Sequence, residues 1–202
     1  MSKGKISVAL LAGAWIVACQ PAAPPPPPAP DPATVKAAQV ERGKYLVTIG
    51  GCNDCHTPKV MTDKGPALDE ARLLSGHPSG EAPAAVPAGA LTPTGWVALT
   101  NGGLTAWAGP WGISFSRNLT PDQATGLGSW TEEMFIKTIR AGKHQGEGRD
   151  LLPPMPWQMY RNATDDDLKA VFAYLQSLPP IDNAVPDPIP PAGPPPGAAP
   201  AK

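Results

Sequence analysis

Gly51-Cys52-Asn53-Asp54-Cys55-His56 is the most informative stretch of this chain. It places two thiols three residues apart and a histidine directly after them, which is the C-x-x-C-H pattern of c-type haem attachment. On one turn of helix both thiols can reach the vinyl groups along one haem edge, and the imidazole then lies under the iron. Thr57-Pro58 follows, and proline stops a regular continuation of the helix. The stretch predicts one covalent haem c, held by Cys52 and Cys55, with His56 as an iron ligand.

Two other uses of this cysteine pair are less well supported. A thioredoxin-like C-x-x-C is expected inside a βαβ unit, and no such pattern surrounds it. A structural zinc site needs a second pair of ligands, whereas His77 and His144 are single and far apart. The remaining cysteine, Cys19, lies near the N-terminus, so no cysteines are left for a disulfide framework.

Met155 is the predicted sixth ligand of the iron. It lies in Leu151–Trp157 with prolines on both sides, and prolines fix backbone dihedrals and remove amide donors. Such a loop can hold a thioether against a metal, and methionine is a soft ligand that raises the haem potential. Methionine also fills core space without any role at a metal. Other candidates stay open, namely Met61, Met134, Met159, His77 and His144.

Three helices are predicted around this motif. The first covers 34–49 and contains Gly43, whose low helix propensity is explained if another helix crosses closely there. The second covers 130–141. The third covers 165–177, with Thr164 as a natural N-cap and an apolar stripe at helical spacing.

Residues 57–129 form a long insertion rich in glycine, proline and tryptophan, in which no sustained period appears. Its structure is not predicted. We expect Trp96, Trp107 and Trp111 to help cover the haem or its rim, because a covalent haem offers a large apolar surface. A buried indole N–H needs a partner, and a propionate is one candidate.

The N-terminus resembles a bacterial export signal. Lys3 and Lys5 precede an apolar run over 6–18, which is shorter than the roughly 20 residues that span a bilayer. The run ends in Ile16-Val17-Ala18-Cys19, which resembles a lipobox and predicts a signal peptide over 1–18 and a lipid on Cys19. An ordinary signal peptide and a retained membrane anchor are the alternatives.

Proline marks the two ends of the chain. Residues 21–32 hold 8 of the 29 prolines and residues 179–202 hold 10, so few are left for the segment between. We therefore predict a lipidated tether over 19–33, a folded domain over 34–181 and a disordered tail over 182–202. The nearly balanced net charge of −1 does not suggest a nucleic-acid partner, which usually requires a basic face.

Several further motifs resemble class I c-type cytochromes, and more narrowly the cytochrome c subunits of membrane-bound alcohol and gluconate dehydrogenases. The similarity covers about 40–181 and is carried by Arg42–Leu46, Asn118–Asp122, Thr125–Glu133, Pro154–Trp157 and Ala173–Pro180. It implies an all-α, cytochrome c-like fold in which the first and last helices cross, with the long loop-rich insertion between them. It also implies that Met155 is the axial ligand and that the segment at Arg117 and Asn118 bonds the propionates. Those subunits carry several haem motifs, whereas this chain carries one.

These features predict a lipid-anchored carrier of single electrons on the periplasmic side of a bacterial membrane. Its partners would be a redox donor and a redox acceptor, with the membrane contacted through Cys19. A six-coordinate iron has no open site, so neither a small-molecule substrate nor an enzymatic activity is expected. The alternatives are a haem enzyme or gas sensor, in which Met155 does not bind the iron, and a structural lipoprotein.

Overall fold

The computed structural model of the protein describes residues 31–83, 85–92 and 95–191. The predicted signal peptide, Cys19, most of the predicted tether and the last eleven residues lie outside these ranges. Within them, no helix is both long enough and apolar enough to cross a bilayer.

The described residues contain five α-helices. They are α1 (Pro32–Ile49), α2 (Cys52–His56), α3 (Glu132–Ala141), α4 (Trp157–Tyr160) and α5 (Asp165–Ser177), with 3₁₀ turns at Glu70–Arg72 and His144–Gly146. The three helices predicted from periodicity are confirmed as α1, α3 and α5. Helix α5 begins as expected, because the Thr164 hydroxyl accepts a hydrogen bond from the Asp167 amide at 3.1 Å.

Helices α1 and α5 cross at Gly43, as the glycine in the first predicted helix suggested. A Cβ atom built at Gly43 would lie 1.9 Å from the carbonyl oxygen of Ala170 and 2.8 Å from the Cβ of Tyr174. No side chain fits between the two backbones there, so the absence of a Cβ allows the close approach. An ion pair between Arg42 and Asp167 at 2.9 Å joins the same two helices nearby.

The expectation of an all-α fold is wrong. The insertion contains a hairpin of β1 (Lys59–Thr62) and β2 (Gly65–Leu68), and an antiparallel sheet of β3 (Leu99–Thr100), β4 (Ala106–Gly109) and β5 (Gly112–Phe115) in that order. The fold is therefore mixed α/β. The strands hold two to four residues each, which is too short for an alternating pattern to stand out in the sequence.

The core lies where α1, α3 and α5 meet. Its buried apolar residues come from these helices and from two loops: Val47, Leu74, Leu127, Phe135, Ile139, Leu168, Phe172 and Leu175. The rings of Phe135 and Phe172 lie 5.3 Å apart between their centroids, which fixes α3 against α5. Cys52 and Met155 are both among the partly buried residues that pack against this core.

Residues 181–191 follow α5 and lie along the domain; we call them the C-terminal strap. Ile189 pairs with Ile113 of β5 through two backbone hydrogen bonds of 2.8 and 2.9 Å. The Asn183 side chain donates hydrogen bonds to the carbonyl oxygens of Ser75 and His77. The tail expected from residue 182 on the basis of proline content thus begins with residues that contact the domain.

Candidate haem-attachment site

The C-x-x-C-H motif forms α2, which follows α1 after a two-glycine turn. Gly51 has a φ of +65°, a left-handed conformation that glycine adopts without strain and that turns the chain into the short helix. Cys52 and Cys55 are three residues apart on α2, so their thiols lie on one face. Both are free and partly buried. The structure therefore presents two neighbouring thiols, as attachment of one haem edge requires.

Burial governs the chemistry of these thiols. It raises the pKa of Cys52 to about 11, and the pKa of Cys55 is also raised, by burial and then by the charge of Asp54. Reactive redox thiols and zinc ligands are thiolates with lowered pKa values. In the described part of the chain, no group of three or more ionisable side chains is placed to hold a metal ion. The raised pKa values of both thiols thus disfavour the thiolate that a reactive redox pair or a zinc site would need.

His56 is held in one orientation by two hydrogen bonds. Its ring Nδ1 lies 2.8 Å from the carbonyl oxygen of Arg117, and its own carbonyl oxygen accepts from the Gly76 amide at 2.7 Å. Burial lowers the pKa of His56, so the ring is neutral near pH 7. A neutral ring that donates from Nδ1 keeps the lone pair on Nε2. Such a ring fits a metal ligand with its outer partner in place.

Lys59 supports the attachment helix, and sequence reasoning did not single it out. Its ammonium donates to the carbonyl oxygens of Asp54 at 2.8 Å and Thr57 at 2.6 Å, with longer bonds to Asn53 and Gly103. A cation at a helix C-terminus satisfies carbonyls that have no partner within the helix. The sequence signal for this contact was the position of a lysine three residues after His56.

Met155 lies in a loop that is fixed at both ends. The Ser114 hydroxyl donates to the Pro153 carbonyl oxygen at 2.6 Å, and the Tyr160 hydroxyl donates to the Gly50 carbonyl oxygen at 2.5 Å. The second bond joins the end of this loop to the turn directly before Cys52. The Met155 side chain is partly buried against the core. The loop is therefore held beside the attachment motif.

The competing ligands are placed differently. Met61 and Met159 are 78% and 71% exposed, and Met134 is partly buried on α3. His77 is fully buried, and its two ring nitrogens are engaged by the Thr105 hydroxyl and the Glu81 carbonyl oxygen at 2.9 Å each. A ring with both nitrogens occupied offers no lone pair to a metal. His144 is partly buried with its ring edge-on to Trp130.

The three tryptophans of the insertion have protein partners or lie in solvent. The indole N–H of Trp107 donates to the Leu104 carbonyl oxygen at 2.8 Å, and that of Trp111 to the Ser114 hydroxyl at 3.3 Å. Trp96 is 71% exposed. A propionate is therefore not needed as a partner for the indole N–H of Trp107 or Trp111.

Arg117 and Asn118 are also engaged, although the resemblance assigned their segment to the propionates. The Arg117 guanidinium donates to the carbonyl oxygens of Val185 and Pro186 at 3.1 and 2.9 Å. The Asn118 amide donates to the Ile181 carbonyl oxygen at 2.7 Å and to Thr125. Both side chains thus bind neighbouring segments of the domain.

Comparison with known proteins finds no matching family model. The chain is 31% identical over 150 residues to one of the subunits of nicotinate dehydrogenase from Pseudomonas putida, an alignment that covers 74% of this chain and 9% of that protein. It is 29% identical over 158 residues to the fructose dehydrogenase cytochrome subunit of Gluconobacter japonicus, covering 78% and 25%. It is 30% identical over 149 residues to the gluconate 2-dehydrogenase cytochrome c subunit of Pantoea cypripedii, covering 73% and 25%.

The chain spans a quarter or less of the length of these curated relatives. Their names include cytochrome c subunits of dehydrogenases, which supports the cytochrome c family for this chain. The same names imply covalent haem c. They support electron transfer and are consistent with an electron carrier rather than a catalytic subunit.

Proposed function

We propose that the protein is a monohaem class I c-type cytochrome that passes single electrons between redox proteins in a respiratory or dehydrogenase-linked chain. Cys52 and Cys55 would hold the haem, and His56 and Met155 would ligate its iron. A haem bound there supplies reversible one-electron chemistry. The protein's own contribution is to hold the ligands, bury the site and exclude other reactions.

The observation that carries this proposal is the placement of His56. Its Nδ1 donates to the Arg117 carbonyl oxygen next to two partly buried thiols, so Nε2 is the ring nitrogen available to a metal. Within the described residues, Nε2 has no hydrogen-bond partner. One C-x-x-C-H motif in the sequence supports one haem.

The role of Met155 is supported by its loop. Ser114 and Tyr160 fix the chain on both sides of it, and Tyr160 ties it to the glycine turn at the attachment motif. A thioether in a loop fixed in this way could fill the sixth position. A filled sixth position leaves no site for a substrate, which favours a carrier over a haem enzyme or gas sensor.

We also propose that the carrier is tethered by a lipid on Cys19 to the periplasmic side of a bacterial membrane. The lipobox-like Ile16-Val17-Ala18-Cys19 and the proline-rich segment after it support this tether. The relatives named as dehydrogenase subunits suggest that a dehydrogenase is one redox partner.

The ferric absorption spectrum of the purified holoprotein tests this function. A low-spin spectrum with the weak long-wavelength band of methionine bound to ferric iron is expected, together with slow or absent binding of carbon monoxide to the ferrous form. A high-spin spectrum with ready carbon monoxide binding would contradict the carrier and favour the enzyme or sensor.

A further inference from the structure

We propose that Asn183, in the C-terminal strap, is a positioning residue for the iron ligand His56, and that the strap thereby tunes the haem potential. The inference depends on the proposed function because it takes His56 as the ligand. Two chains of contacts carry it, one through the side chain of Asn183 and one through Arg117. Both begin in the strap and both end on His56.

Asn183 makes four hydrogen bonds to the domain. Its side-chain amide donates to the carbonyl oxygens of Ser75 at 2.7 Å and His77 at 2.9 Å. Its side-chain oxygen accepts from the Ser79 amide at 2.9 Å, and its own amide donates to the Thr125 hydroxyl at 3.0 Å. An exposed residue of a disordered tail would make none of these bonds. They fix both residues that flank Gly76.

Gly76 transmits this constraint to His56. Its amide donates to the His56 carbonyl oxygen at 2.7 Å. It has a φ of +83°, and a Cβ there would lie 2.5 Å from the Ser116 carbonyl oxygen and 2.6 Å from the Arg117 carbonyl carbon. Gly76 therefore packs directly on the peptide group whose oxygen faces the His56 ring. A displacement of Gly76 moves the backbone of His56 and the acceptor of its ring together.

Arg117 gives the second connection. Its guanidinium donates to two strap carbonyl oxygens, those of Val185 and Pro186, while its own carbonyl oxygen accepts from Nδ1 of His56. The strap thus holds the residue that orients the ring. Because the contacts on the strap side are made by backbone carbonyls, the proline-rich composition of the strap is compatible with them.

The hydrogen bond at Nδ1 matters for the metal as well as for the ring. An outer partner of a ligating histidine fixes its tautomer and orientation and raises its basicity as a ligand. If the strap is loosened, the bond from Nδ1 to Arg117 weakens and His56 becomes a poorer donor to ferric iron. The reduced state is then favoured, so the midpoint potential rises.

The experiment compares full-length holoprotein with two point variants. Asn183→Ala removes the side-chain bonds without a change of charge, and Asn162→Ala makes the same substitution at an exposed asparagine outside the strap as a control. Solvent exchange of the Gly76 amide and of the His56 Nδ1–H is measured by NMR in the ferrous state, beside the midpoint potential. We expect roughly tenfold faster exchange at both sites in Asn183→Ala, which corresponds to about 1.4 kcal/mol. We also expect a raised potential, and neither change in the control.

Arg117→Lys is a further variant, which still tests the inference if Asn183→Ala does not fold. It retains the positive charge but loses the guanidinium that binds the Val185 and Pro186 carbonyls. Exchange at the His56 Nδ1–H should speed up, with a smaller change at the Gly76 amide. Unchanged exchange and potential in the folded variants would overturn the inference, even if their thermal stability fell.

The proposed function is judged on the wild type before any variant is compared. If the wild type carries covalent haem and the variants behave like it, the proposed role of the strap is contradicted. The proposed function as an electron carrier is then unaffected. If the wild type carries no covalent haem, or its haem iron has a ligand other than His56, both the proposed function and the proposed role of Asn183 are contradicted.

Discussion

His56 depends on residues far from it in sequence for its orientation. Its ring partner Arg117 is 61 residues away, and the Gly76 amide that holds its backbone belongs to another loop. The short helix α2 alone could not fix the ring, because a five-residue helix is marginal without tertiary contacts. Lys59 adds a further constraint by binding the carbonyls at the end of this helix. His56 and its helix are thus positioned by contacts from three separate points of the insertion.

Met155→Ala tests the second proposed ligand. We expect haem to stay covalently bound through Cys52 and Cys55, while the ferric iron becomes high-spin or takes another ligand. The potential should fall, because methionine ligation raises it. Stability should fall by less than the about 2–5 kcal/mol of a fully buried methionine, since Met155 is only partly buried. The measurements are the ferric spectrum, the midpoint potential and a urea titration.

Met159→Ala is the matched control, because Met159 lies on the neighbouring helix α4 and is 71% exposed. It should leave the spectrum and the potential unchanged. If Met155→Ala also leaves them unchanged, another residue is the sixth ligand and His144 is the next to test.

The candidate site was predictable from sequence only where its chemistry is local. Cys52, Cys55 and His56 belong to one motif, so their spacing alone predicts that the two cysteines hold a haem and that His56 ligates its iron. Lys59, Gly76 and Asn183 contribute through backbone carbonyls and amides, and such contacts leave no pattern of residue types. Their roles could be seen only after the chain was folded.

The crossing of α1 and α5 is the main contact between helices. It depends on the missing Cβ at Gly43, on the Arg42–Asp167 ion pair and on the apolar stripe of α5. The ion pair is open to solvent on its Arg42 side, and ion pairs near the surface contribute about 0–1 kcal/mol. The stability of this crossing therefore depends mainly on the packing of the two helices against each other.

Gly43→Ala should destabilise the protein by about 1–3 kcal/mol. The gain in helix propensity is only about 1 kcal/mol, whereas the new methyl would lie 1.9 Å from a backbone oxygen that cannot rotate away. Thermal and urea unfolding measure the change.

Gly80→Ala is the control for this prediction, since nothing lies within 4 Å of a Cβ there. Its effect should be neutral or stabilising, by less than about 1 kcal/mol. A neutral or stabilising Gly43→Ala would mean that the two helices are farther apart than described.

The elements divide into those with a sequence signal and those without one. Helices α1, α3 and α5 hold ten or more residues each, which is long enough for period and caps to identify them. Strands β1 to β5 hold two to four residues between glycines and prolines, so their pairing was decided by tertiary contacts. This is why the resemblance suggested an all-α fold and the chain has a mixed one.

At the scale of the whole molecule, the proline-rich segment after α5 is part of the folded domain. The C-terminal strap contacts the domain through Asn183, Val185, Pro186 and Ile189. Composition predicted a disordered tail here, because a proline-rich segment has few apolar side chains to bury. It could not predict that backbone carbonyl oxygens of this segment accept hydrogen bonds from the domain. The N-terminal end carries the proposed lipid tether.

Cys19→Ser tests the tether. Without the thiol no thioether to lipid can form, so the protein should either leave the membrane fraction or accumulate as an unprocessed precursor. Fractionation and the intact mass of the mature protein measure this. Lys3→Gln is a control that leaves the lipobox-like segment intact and should preserve lipidation. A mature N-terminus found elsewhere and without lipid would contradict the anchor.

Covalent attachment of haem at Cys52 and Cys55 is the central claim. The most direct measurement is acid–acetone extraction of the purified holoprotein, followed by mass spectrometry of the peptide that contains both cysteines. We expect the colour to stay with the protein, the peptide to carry the mass of one haem, and the double variant Cys52→Ala, Cys55→Ala to be haem-free. Haem that extracts into the acetone, or a peptide with two unmodified thiols, would contradict the account.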